Sequence, residues 1–345
     1  MNSILALSGV HMMQRLPSLG QEIQTLTWSS YTRALKQLRV ALSTLSSDTN
    51  GDDAAWRILL VVLIFYLLEV GFALSFSLRS LPIRIKATRG IDSEAMQRHL
   101  DGAHHLMTHL VHSTSSRPRS NIVSLTTDLF VYNASLATFT TGRTISPSIS
   151  SLLDAPGSVI RGTGAMCGCA YELFLHIPTV SALLWDFASH ETASLPQGYF
   201  AITYRDLRSQ VEQWQPRSAQ QDLVLCAELY QHSLLLLLDY HFAGDKTEEL
   251  VERAFRDLES ILSRLPPNSS ISTTATWPLF VFGLMAPRDN CKILIRSYLQ
   301  SLVGIFGMGV MSTALNQLEE IWEVNPGRDV LSRFFISQNN LLLIC

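Results

Sequence analysis

No cysteine occurs before Cys167, and the five present (Cys167, Cys169, Cys226, Cys291 and Cys345) are odd in number and scattered. That set does not make the framework of a disulfide-stapled secreted domain, and it suits a reducing compartment. No basic run of nuclear-localisation type stands out either, and the formal net charge is −3. A surface that grips nucleic acid neutralises phosphates with grouped cations, so direct nucleic-acid contact is not expected. The opening stretch, MNSILALSGVHMMQRLP, has neither a basic leader nor a continuous apolar core, so no secretory signal is expected. The triplets Asn133-Ala134-Ser135 and Asn268-Ser269-Ser270 then carry little weight as glycosylation sites.

Catalytic signatures are absent too: no His-Glu-x-x-His and no Gly-x-Ser-x-Gly can be found, which leaves hydrolase chemistry without support. Gly162, Gly164 and Gly168, and again Gly304, Gly307 and Gly309, form Gly-rich strings. Neither follows a strand, as a dinucleotide fingerprint requires, so both are read as helix ends where Gly supplies a left-handed cap. No catalytic residue, cofactor site or metal site is therefore assigned.

What the chain does have is apolar residues at helical spacing. With 345 residues, 47% of them hydrophobic, it can fill a sizeable core. Tyr31, Leu35, Leu38, Leu42 and Leu45 recur in steps of four and three, which puts them on one helix face. Further helices are expected from Asp52 or Asp53 through Leu68, over Glu94–His112, Ile122–Thr140, Met166–Ala188, Ser218–Phe242 and Thr247–Leu265, and in a final pair over Asn290–Val303 and Val310–Glu323. In the 247–265 helix, Leu250, Val251, Ala254, Phe255, Leu258, Ile261, Leu262 and Leu265 form one stripe. Asp245 and Glu248 have the form of a capping box before it, and Pro266 and Pro267 end it. Residues 141–164, rich in Gly, Ser and Pro, are read as irregular. Strand alternation and fixed-period repeats are absent, so an all-α fold of roughly eight to ten packed helices in a single domain is expected.

Three features invite sharper readings. His105, His109 and His112 fall at i, i+4 and i+7, with His99 and His104 nearby, and could hold zinc given a fourth ligand. Cys167 and Cys169 with His176 offer a second set, although a lone C-x-C lacks the number and spacing of a structural site. In both cases packing is the preferred reading, since a buried Cys behaves as a small hydrophobe. Third, Ile58 to Leu78 is apolar or small at every position but Glu69 and is flanked by Arg57 and Arg79. A membrane span is one reading. Glu69 would cost roughly 3 kcal/mol at a bilayer centre, and the unbroken run from Ile58 to Leu68 is of the length usual for a core helix.

The stretch from Trp277 to Glu323, WPLFVFGLMAPRDNCKILIRSYLQSLVGIFGMGVMSTALNQLEEIWE, resembles the C-terminal signature of the fungal-specific transcription factor domain, the regulatory domain of fungal zinc-cluster regulators. Trp277, Pro278, Leu279 and Phe280 match its opening, Phe306 and Gly307 its Gly-rich corner, and Leu318, Glu319, Glu320, Ile321 and Trp322 its end. The resemblance extends upstream to about Tyr31. RHLDGAHHLM is similar to a His-Leu-x-Gly-Ala packing helix, MCGCAYELF to a Gly-Cys-x-x-Glu-Leu helix start, and DLFVYNASLATFTTGR to a segment whose usual His-Asp pair is here Asn133 and Ala134. The excess between Glu69 and His99 is read as an insertion over residues 71–90. This gives a flexible segment over 1–26, the regulatory domain over 27–325 and a tail over 326–345.

The resemblance implies a nuclear regulator of RNA polymerase II genes and not an enzyme. It implies homo- or heterodimers with related regulators, the transcription machinery and a small-molecule inducer as partners. The signature residues are expected to pack, with Glu319, Glu320 and Glu323 on a solvated side. Family members carry an N-terminal zinc cluster built on six cysteines, and this chain holds no such cluster. DNA contact by the chain itself is therefore unsupported, and a membrane-associated helical protein or an accessory partner of full-length regulators is the alternative.

Overall fold

The computed structural model describes residues 1–16, 20–45, 52–77, 93–113, 121–141, 164–189, 197–242 and 247–324. Among these are 12 α-helices and no strand, so the fold is all-α. By their contacts the described residues form two compact units, the first built from those up to residue 130 together with 307–310, the second from 131–141, from the described residues between 164 and 306, and from 311–324. Periodicity along one helix shows that a face is buried and not which other helix buries it, so the grouping into units is decided by tertiary contacts.

In the first unit, α1 (Asn2–Arg15) and α2 (Gly20–Leu45) pair, and both pack on α3 (Asp52–Ser77), which also receives α4 (Ser93–Ser113). Segment 1–26, expected to be flexible, is helical over most of its length. Its signal was weak because α1 buries mostly small or short side chains, such as Ser3, Ala6 and Val10. Gly9 brings α1 against α2: a Cβ there would lie 2.0 Å from Thr27 Oγ1. The core joins Ala6, Val10, Ala34, Ile64, Phe65 and Leu68, and Tyr31 meets Phe65 edge-on with centroids 5.2 Å apart.

The apolar run of α3 is accounted for by this packing. Leu59, Leu63, Phe65 and Leu68 are fully buried, as expected of a helix that is apolar on every side because helices surround it. Only Gln221–Tyr240 is long and apolar enough among the described residues to cross a membrane, and 61% of it is buried inside the protein. The side chain of Glu69 and most of the proposed insertion (78–90) lie outside the described residues, as does Asp245 of the expected capping box.

Helix α5 (Asn121–Thr141) is buried at every position from Thr126 to Thr140. Three of its hydroxyls bond back to the helix, Thr127 to Val123 O at 2.7 Å, Thr138 to Ser135 O at 2.6 Å and Thr140 to Ala137 O at 3.2 Å, whereas Thr126 Oγ1 and Ser135 Oγ are buried without a hydrogen-bond partner among the described residues. For those three, local pairing offsets the cost of burying a hydroxyl.

The second unit adds α6 (Tyr171–Ser189), α7 (Gln197–Gln213), α8 (Gln221–Phe242), α9 (Thr247–Leu262), a 3-10 turn (Ser270–Ala275), α10 (Thr276–Leu284), α11 (Asp289–Phe306) and α12 (Gly309–Val324). The predicted stripe of α9 is buried at Val251, Phe255, Leu258, Ile261 and Leu262. Helix α7 is not expected from periodicity, because among its side chains with a described burial only Leu207 and Val211 are buried apolar residues, while Ile202 is exposed. Polar groups hold it instead. Arg208 donates to Asp239 through Nε at 2.7 Å and Nη2 at 3.2 Å, and Tyr204 Oη donates to the same carboxylate at 3.0 Å. Burial, followed by the charge of Asp239, pushes the Tyr204 phenol up to about 12. The Gln231 amide caps the end of α7 by donating to Val211 O at 2.8 Å and Trp214 O at 3.0 Å.

Candidate functional site

The terminal signature folds into the centre of the second unit. Helix α10 is buried along its whole length, Thr276 to Leu284. Pro278 is tolerated because it sits in the first turn, where a helix N–H has no internal acceptor. Trp277 is fully buried, stacks on Tyr230 with centroids 5.6 Å apart and an interplanar angle of 10°, and meets Phe139 edge-on at 5.3 Å. Tyr230 in turn contacts Phe174 at 4.5 Å, and Phe174 contacts Tyr132 at 5.5 Å. One aromatic chain therefore ties α5, α6, α8 and α10 together. Its phenol is anchored as well, Tyr230 Oη donating to Thr274 O at 2.6 Å in the 3-10 turn that leads into α10.

The two ends of the signature meet in space. Gly283 on α10 lies so close to α12 that a Cβ there would fall 2.5 Å from Leu318 Cδ1. Trp322 Nε1 donates to Gly283 O at 2.9 Å. Arg296 on α11 grips Glu319 with both arms, Nε to Oε1 at 2.5 Å and Nη2 to Oε2 at 2.6 Å, while its guanidinium lies 5.3 Å over the Trp322 ring. The reading of Glu319 as a solvated residue is corrected here: it is half-buried and paired, whereas Glu320 and Glu323 are exposed. The pattern of acids after Leu318 could not separate the three, because the separation depends on Arg296, 23 residues away.

That pair has a pH signature. The hydrogen bonds from Arg296 hold the Glu319 carboxyl below its ordinary value of 4.5. A depressed carboxylate stabilises the fold above the unfolded pKa, and the contribution is lost as pH falls through the folded one. Glu319→Gln is therefore expected to lower stability near neutral pH by about 1 kcal/mol at most, as for partly exposed pairs, and to have little effect below the carboxylate range. Urea midpoints at pH 7 and pH 3 check this; an equal difference at both would show that charge is irrelevant.

Gly307 has φ +62 and ends α11 in the left-handed conformation expected of the corner, whereas Gly168, at φ +57, sits in the turn before α6 and ends no described helix. Gly304, also read as a helix end, instead lies inside α11 facing open space. Gly162 is outside the described residues.

The metal-ligand candidates are dispersed. His99 stacks on Phe65 at 5.9 Å, and His104 leans on Phe130 at 6.2 Å with burial, then the neighbouring His105, pushing its pKa down. His105 and His109 are exposed, and the His112 side chain is outside the described residues. Cys167 and Cys169 are buried, Cys169 Sγ donating to Leu223 O at 3.3 Å, and burial pushes the His176 pKa down. Among the described residues no three of His, Cys, Asp and Glu are placed to hold a metal ion. Asn133 and Ala134, which replace the His-Asp pair, are both fully buried. Every signature residue brought together here packs, caps or pairs.

The family model of the Fungal specific transcription factor domain matches residues 1–333. The chain belongs to this family. Its aromatic chain and the lock of Gly283, Arg296, Glu319 and Trp322 are thus the interior of a fungal transcription factor domain, and the match also takes in residues 1–26 and 71–90. No curated protein and no solved structure matches.

Proposed function

We propose that this chain acts in the nucleus as a regulatory body for transcription of RNA polymerase II genes, without contacting DNA itself. The observation that carries this reading is membership of the Fungal specific transcription factor domain family over residues 1–333. The absence of any cysteine before Cys167 leaves this chain unable to build a six-cysteine zinc cluster ahead of the domain, and a net charge of −3 does not favour phosphate contact by the chain as a whole. DNA contact would then come from a zinc cluster encoded upstream or from full-length relatives with which this chain pairs. The transcription machinery and a small-molecule inducer complete the set of partners. A non-enzymatic role agrees with the lack of a catalytic motif.

A tethering experiment tests the proposal. The whole chain, fused to an unrelated DNA-binding domain in a fungal host, is expected to change a reporter gene's transcript level severalfold in either direction. A fusion that is stably expressed, reaches the nucleus and leaves transcription unchanged would overturn it. Reading the genome upstream of Met1 for an in-frame six-cysteine cluster separates the two sources of DNA contact.

A further inference from the structure

The α1–α2 hairpin is net positive in a chain that is acidic overall. Residues 1–45 hold four cations, Arg15, Arg33, Lys36 and Arg39, against one anion, Glu22, a net of +3. The chain as a whole is −3, which leaves −6 on the remaining residues.

The same hairpin exposes apolar side chains in two aligned stripes. On α1, Leu5, Met12 and the capping residue Leu16 follow at steps of seven and four, hence on one face. On α2, the apolar Leu26 and Val40 stand seven residues to either side of Arg33 on one face, with Lys36 beside them, so this stripe mixes apolar and cationic side chains. Leu26 is 69% exposed and Val40 64%. The helices run antiparallel with a register fixed by two contacts, Gly9 against Thr27 and Asn2 Nδ2 donating to Gln37 Oε1 at 3.1 Å. This register sets Met12 level with Leu26 and Leu5 level with Arg33. Both stripes turn away from Ala6, Val10 and Tyr31, the residues that face α3. Among the described residues Arg33, Lys36 and Arg39 form no ion pair.

We infer that the outer face of the α1–α2 hairpin docks an acidic amphipathic helix of a partner protein. Two antiparallel helices leave a shallow seam between them, and a third helix fills such a seam with residues at i, i+3, i+4 and i+7. Carboxylates on its flanks would meet Arg33 and Lys36. The 14 residues of α1 correspond to a contact about 20 Å long, so a partner helix of similar length suffices. A second copy of this hairpin fits poorly, since it would set Arg33, Lys36 and Arg39 against their own like charges. A lipid surface also fits poorly, because Glu22, Ser29 and Gln37 interrupt the apolar stripe on α2.

The purified full chain is titrated into fluorescein-labelled synthetic helices that carry Leu at i, i+3, i+4 and i+7 with either Glu or Lys on the flanks, and anisotropy is read. The Glu helix is expected to bind about tenfold more tightly than the Lys helix, and its affinity to fall about tenfold on raising ionic strength from about 0.05 to about 0.5 M. Leu26→Ser and the pair Arg33→Glu with Lys36→Glu are each expected to weaken it about tenfold while leaving the thermal melt of the chain unchanged, as these positions are exposed. Equal binding of both helices, or binding indifferent to these substitutions, would overturn the assignment. So would a Leu26-dependent dimer in sedimentation, or Leu26-dependent pelleting with phosphatidylcholine and phosphatidylserine vesicles in the absence of binding to the Glu helix.

Discussion

Replacing Trp277 by alanine is expected to destabilise the second unit by about 3–5 kcal/mol, the range for removing a large buried aromatic. Whole domains are stable by only about 5–15 kcal/mol, so most of the margin would go. Collapse of the neighbours cannot relieve the cost easily, because the indole is stacked on Tyr230 and faced by Phe139, both fully buried themselves. Urea unfolding followed by circular dichroism measures it, with Trp322→Phe as a control at the edge of the same cluster, since Trp322 is only half-buried. A loss below about 1 kcal/mol for Trp277→Ala, the scale of an ordinary surface change, would mean that the aromatic chain is not the centre of this unit.

The second large effect is expected at Gly283. A Leu there would drive its Cβ into Leu318, whose Cγ as well as both Cδ atoms lie within 3.1 Å of the Cβ position. Leu318 is fully buried and cannot swing into solvent, so α12 would have to withdraw from α10. Overpacking of this kind costs about 1–3 kcal/mol, and displacement would also break the bond from Trp322 Nε1 to Gly283 O, worth about 1 kcal/mol more. The gain in helix propensity over Gly returns at most about 1 kcal/mol. The decisive measurement is a double-mutant cycle: Leu318→Ala should recover part of what Gly283→Leu loses, because it opens the space the new side chain needs. Strict additivity of the two would show that close approach at Gly283 is not what limits the site.

Much of the helix inventory was legible, and the reason is visible in the helices that were recognised. α9 and α12 bury one stripe and expose the other side, so their periodicity records their burial. α1 and α7 carry no comparable stripe: α1 packs through Ser3, Ala6 and Gly9, and α7 is held by Arg208 and Tyr204 on Asp239. α3 was legible as apolar but ambiguous between core and membrane, since a helix buried on all sides by protein has the same composition as one buried by lipid. The signature was visible as a string and not as a lock. Nothing local indicates that Glu319 rather than Glu320 meets Arg296, or that Gly283 is small to admit Leu318.

The sequence by itself determined the class of the fold, the family, and the lack of any catalytic or cluster-building pattern, because these depend on residue types and short spacings. The tertiary structure decided that the described residues form two units, that the apolar run of α3 is covered by α1, α2 and α4, and that the signature closes on itself through Gly283, Arg296, Glu319 and Trp322. These depend on which buried face meets which, and that choice is made by shape and partner across tens of residues, beyond the reach of periodicity along one helix.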